Sequence, residues 1–168
     1  DYARVVFERL GDRVPMWATL NEPFMVSDAG YLRGFHAPGH RSVAEAAAVA
    51  RHLLLAHGAA VQVHRGTARG TIGLVVNLEP KTPVSQAPAD VEAAARADVY
   101  MNRQYLDPVF FGRWPEGLAA ILGDACRDFT SAERDRLVEW IGRGGFLFID
   151  DHNHDIDGAF HTTVVEEI

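Results

Sequence analysis

The sequence is short of most things that would narrow its chemistry by composition. A single cysteine, Cys126, occurs in 168 residues. It can close no internal disulfide, and one thiol cannot build a zinc site. That economy fits a reducing compartment, so a cytoplasmic location is expected. Basic residues are outnumbered, 16 Lys and Arg against 23 Asp and Glu, for a net charge of −7. An acidic chain gains little from counterion release, which excludes nucleic acid as an expected partner. No apolar run approaches the roughly 18 residues of a membrane-spanning helix, so no membrane is expected either. Lysine is nearly missing, with Lys81 alone against many arginines. The opening Asp1-Tyr2-Ala3-Arg4 has neither a Met nor a signal-peptide pattern, and reads as cut from something longer.

What is present is the mix of a folded chain. Hydrophobic residues make up 48% and charged residues 23%, enough apolar surface to exclude disorder and to fill about one domain.

The apolar pattern alternates between helix and strand periods. Residues 3–10 place Val6, Phe7 and Leu10 at helical spacing before Gly11. Val14 to Leu20 is a short apolar run, predicting a buried strand that ends in Asn21-Glu22-Pro23. Residues 23–41, with Gly30, Gly34, Pro38 and Gly39, predict a long loop with one short helix. Ser42 and Glu45 have capping-box spacing at the head of a long Ala-rich helix to about His64. Thr71 to Leu78 predicts a second buried strand, closed by Glu79-Pro80. Pro88 can open a helix to about Tyr105. A Pro- and aromatic-rich stretch, Asp107 to Pro115, then precedes a short helix over 116–126. Thr130 and Glu133 have capping-box spacing for another helix to Gly142, and Phe146 to Ile149 predicts a third strand. Such alternation implies a parallel α/β sheet flanked by helices. Asn21-Glu22 and Asn77 with Glu79 then end neighbouring strands, at the carboxyl edge where such folds bind ligands.

Glu22 is the leading candidate for chemistry. A carboxyl at the end of an apolar strand is partly desolvated, which favours its protonated form and suits a general acid. Asn21 beside it can donate and accept hydrogen bonds to a hydroxyl-rich ligand. His36 falls in the following loop. The run Asp150-Asp151-His152-Asn153-His154 with Asp155 and Asp157 has metal-ligand residue types, but a spacing that fits no zinc or calcium pattern, so no metal is expected. Cys126, Trp114 and Phe110-Phe111 are expected to pack.

Trp17-Ala18-Thr19-Leu20-Asn21-Glu22-Pro23 resembles the Thr-Leu-Asn-Glu-Pro motif of the family 1 glycoside hydrolases, the β-glucosidases. Residues 30–39 resemble the loop that follows it there, residues 72–85 the family's fifth strand, and Asn102 to Pro108 with Phe111 to Pro115 the segment beyond. The resemblance covers about residues 1–135. It implies a partial (β/α)8 barrel, roughly strands four to six, over residues 1–143, with an atypical tail over 144–168. It implies a retaining hydrolase of β-linked glucosides or galactosides that uses no cofactor. Glu22 would be the general acid/base, Asn21 would bond the sugar 2-hydroxyl, and His36 would line the aglycone entrance. Retention requires a second carboxyl, which that family carries in a Glu-Asn-Gly motif, and no Glu-Asn-Gly occurs in this sequence. Glu166-Glu167 has no context that supports it as a replacement. The resemblance therefore leaves open a chain inactive by itself, which oligomerises or is completed by another chain.

Overall fold

A computed structural model describes residues 1–150, with side chains as far as residue 148. The metal-ligand run beyond Asp150 and Glu166-Glu167 lie outside the described residues. Three strands, β1 (Met16–Asn21), β2 (Thr71–Asn77) and β3 (Phe146–Asp150), form a parallel sheet in the order β1-β2-β3. The helices are α1 (Tyr2–Leu10), α2 (Pro23–Ser27), α3 (Val43–Thr67), α4 (Pro88–Asp98), α5 (Gln104–Phe111), α6 (Leu118–Leu122) and α7 (Ser131–Gly142). The predicted alternation, the parallel pairing and the third strand are thus present.

The core lies between the sheet and its helices. Leu54 and Val61 of α3, Leu74 and Val76 of β2, Val109 of α5 and Leu137 of α7 are buried together. The Trp140 indole N–H donates to the Ile72 carbonyl at 2.9 Å, tying α7 to the sheet through a buried polar bond. Trp114 packs on Phe129 with ring centroids 4.7 Å apart, and Cys126 sits half-buried against a second apolar cluster.

Four local readings are corrected. First, β1 is not a buried strand: none of its residues is buried, and Met16 is 62% exposed. It has one neighbour among the described residues, whereas the central β2 is apolar and covered, as its sequence demands. Second, the segment after Glu22 is more regular than a glycine-bearing loop. α2 passes directly into a π-helical turn, Asp28–Leu32. Pro23 presets the first helical position, and Asp28, 4% exposed, is held by the Arg33 guanidinium at 2.9 Å.

Third, the helix opened by Pro88 does not end at Tyr105. It widens into a π-helical turn at Val99–Arg103 and continues through Pro108 to Gly112, whose φ of 66° is the left-handed stop that glycine allows. Fourth, the capping box at α3 is only half made. Ser42 Oγ accepts the Glu45 N–H at 3.3 Å, but the Glu45 carboxylate turns to His40 at 2.7 Å. The box at Thr130 and Glu133 is complete. α3 also runs to Thr67, past its predicted end. It is long and apolar enough to cross a membrane by length and composition, which the absence of an unbroken apolar run did not anticipate. Its Ala50, Leu54 and Val61 lie in the core, and its Arg51 pairs with Glu133 at 2.8 Å.

Candidate active site

The carboxyl ends of β1 and β2 gather the residues singled out from sequence. Along β1, Ala18 pairs with Gly73 and Asn21 with Val75, so three steps on one strand meet two on the other. This bulge re-aims the residues that follow it. The Glu22 N–H closes the ladder on the Val75 carbonyl at 2.9 Å. Glu22 then takes φ 47° and ψ 64°, the one non-glycine residue with positive φ among the described residues. A left-handed backbone costs an L-residue about 1–2 kcal/mol, and such strain persists where the surroundings over-determine it. Glu22 also caps α2, with the Met25 N–H donating to its carbonyl at 3.0 Å. Its side chain is half-buried and that of Asn21 exposed.

Asn77 ends β2 on the same side of the sheet. It is 3% exposed, and its Oδ1 has no hydrogen-bond partner among the described residues. It lines a pocket of about 360 Å³ bounded by Phe24, Met25, Phe35, Glu79 and Lys81. The pocket's charges are paired: Lys81 with Glu79 at 2.8 Å, Arg33 with Asp28 at 2.9 Å. The Tyr100 hydroxyl donates to Asp28 Oδ1 at 2.7 Å, and burial first, then the Asp28 carboxylate, holds that phenol protonated far above its ordinary range. Asn102 clamps the loop after β2. Its Oδ1 accepts the Glu79 N–H at 3.1 Å, and its Nδ2 donates to the Glu79 carbonyl at 2.8 Å and to Asp98 at 2.7 Å.

The structure therefore brings Asn21, Glu22 and Asn77 to one end of the sheet. His36 stays apart, on an exposed loop where its N–H donates to the Ala29 carbonyl at 3.0 Å; its neighbour Phe35 lines the pocket. Sequence reasoning missed Asp28, Arg33, Tyr100 and Asn102. The signal for Asp28 and Arg33 is an opposite-charge pair five residues apart, which fits a π-helical turn and would be overlooked at α-helical spacing.

A strand-end carboxyl and amide beside a pocket of apolar walls and neutralised charges suits a neutral, hydroxyl-bearing ligand. With a parallel sheet behind it, this defines an α/β fold with its site at the carboxyl ends of the strands. The family follows. The model of Glycosyl hydrolase family 1 matches residues 1–149, and the chain belongs to that family. It is 36% identical over 181 residues to a furostanol glycoside 26-O-beta-glucosidase of Hellenia speciosa, covering 99% of this chain and 31% of the relative. It is 42% identical over 123 residues to the 6-phospho-beta-glucosidase GmuD of Bacillus subtilis, covering 73% of this chain and 26% of the relative. Among solved structures, a β-glucosidase from Exiguobacterium marinum superposes with a TM-score of 0.80 at 36% identity, over 90% of this chain and 35% of that one. The chain thus spans about a third of the length of the relatives it matches.

Proposed function

We propose that this chain is the acid/base segment of a retaining β-glucosidase-type hydrolase acting on β-linked glucosides or galactosides. One observation carries the reading: Asn21 and Glu22 lie at the carboxyl end of a parallel strand, and Glu22 holds a costly backbone conformation there. Glu22 protonates the glycosidic oxygen as the bond to the leaving group breaks. A second carboxylate, about 5–5.5 Å away, attacks the anomeric carbon and forms the glycosyl-enzyme. Glu22, now ionised, takes a proton from the water that releases the sugar. Asn21, exposed beside it, bonds the sugar 2-hydroxyl, a contact that strengthens in the transition state. His36 borders the aglycone entrance. On this reading β1 to β3 are the fourth to sixth strands of the barrel. The sequence holds no Glu-Asn-Gly, so on this reading the second carboxylate is supplied by the tail or by another copy of the chain.

A second reading has its own support. Two of the three strands have a neighbour on one side only among the described residues, so the chain can be an inactive barrel segment that joins other chains. Hydrolysis of an aryl β-glucoside by the purified chain, beside its Glu22→Gln variant, separates the two. Turnover that falls about 10²–10⁴-fold in the variant is expected for a general acid/base. No turnover by either protein favours the second reading.

A further inference from the structure

We infer that Tyr105 is a positioning residue for Glu22, acting through the first turn of α2 rather than by touching substrate. The inference rests on the acid/base reading of Glu22. A left-handed backbone at a glutamate holds only when the chain is fixed on both sides of it. Upstream, the β1–β2 ladder fixes it, ending in the Glu22 N–H to Val75 bond at 2.9 Å. Downstream, α2 and the π-helical turn it runs into give two five-residue stretches, still too short to be a stable helix unaided, so the first turn after Glu22 depends on tertiary holds.

The Tyr105 hydroxyl supplies the hold nearest to Glu22. It is 2% exposed and reaches both ends of α2, lying 3.3 Å from the Pro23 carbonyl and 2.5 Å from Ser27 Oγ. The Gln104 amide donates to it at 3.2 Å. A phenol has one hydrogen and an amide nitrogen only donates. The Ser27 hydroxyl also has one hydrogen and two acceptors in reach, the phenol oxygen at 2.5 Å and the Phe24 carbonyl at 3.2 Å. When Ser27 donates to the phenol, the phenol proton goes to the Pro23 carbonyl; when it donates to Phe24, the phenol donates to Ser27, and α2 is held in either case. One buried atom, 82 residues along the chain, thereby anchors the turn that directly follows Glu22. Pro23 itself is almost wholly buried, so this anchor sits behind the turn, away from the site's open side. The Phe24 ring adds an apolar hold, edge-on to Tyr100 at 5.5 Å.

Tyr105→Phe removes the hydroxyl and keeps the ring. Ser27→Ala is the milder companion should the first variant fold poorly. Two readouts decide the matter. In NMR of the chain, the Glu22 backbone coupling and Cα shift report the left-handed conformation, and exchange of the Met25 amide reports the first turn of α2. Both are expected to collapse in Tyr105→Phe while β2 amides keep their protection. In hydrolysis, kcat/KM for a methyl β-glucoside, whose leaving group needs the acid, is expected to fall about tenfold further than for a dinitrophenyl β-glucoside. Mere loss of folded protein would lower both equally. An unchanged Glu22 signature, or equal losses on the two substrates, overturns the proposal. A wild-type chain without turnover counts against the acid/base reading, and the NMR arm then still decides whether Tyr105 holds the Glu22 backbone.

Discussion

His57 is a midhelix histidine that the sequence marks in no special way, yet it has one of the clearest electrostatic consequences in the molecule. It is fully buried, with Trp140 edge-on at 4.8 Å and Thr19 Oγ1 2.7 Å from Nδ1. Thr19 donates to the Gly73 carbonyl at 3.0 Å, which leaves His57 Nδ1–H as donor to Thr19. Burial lowers its pKa from 6.5 to about 4. The unfolded chain therefore binds a proton that the folded chain refuses across that window. The stabilisation is present above pH 6.5 and is lost as pH falls toward 4, on the order of 3 kcal/mol in all. His64, lowered first by burial, acts in the same direction. Urea denaturation between neutral pH and about pH 4 should show that loss, and imidazole NMR should find His57 neutral down to about pH 5. An ordinary histidine titration would refute the assignment. At this scale the sequence is uneven: Asn21 and Glu22 are legible because their signal is contiguous. Tyr105 and Asn102 are not, because the groups they hold lie 82 and 23 residues away.

At the scale of the element, the two capping signals look equal in sequence and differ in the fold. At α7 the Glu133 carboxylate returns to the Thr130 N–H at 2.7 Å, and Thr130 Oγ1 accepts the Glu133 N–H at 3.4 Å. At α3 the second arm goes to His40 instead. Thr130→Ala should cost about 1 kcal/mol, read as a lowered melting temperature, and Ser42→Ala visibly less. Equal losses would mean that the further bond from the Thr130 hydroxyl to the Glu133 carboxylate, at 3.0 Å, contributes nothing. The helical stretch after Glu22 was the least legible element, because the five-residue spacing of its π-helical turn disguises an amphipathic pattern as irregular chain. The helix from Pro88 was legible through its own π-helical turn, and only its continuation past Tyr105 was hidden, by a proline that reads as a stop.

At the scale of the whole molecule, alternation of short apolar runs and helical segments was enough to give a parallel α/β sheet. The exposure of β1 was not legible, because an apolar run says a strand will be covered without saying by what. β1 and β3 each present an unpaired edge among the described residues, and open parallel edges recruit further strands. Light scattering on the purified chain at micromolar concentration should give a mass above that of one copy; a uniform monomer would refute this. The order of the sheet has one more consequence. Neighbouring strands follow one another along the chain, β1 then β2 then β3, so β2 and β3 each leave the ribosome to meet a partner already made. Once β2 has joined β1, the sheet can lengthen at a single growing edge during synthesis.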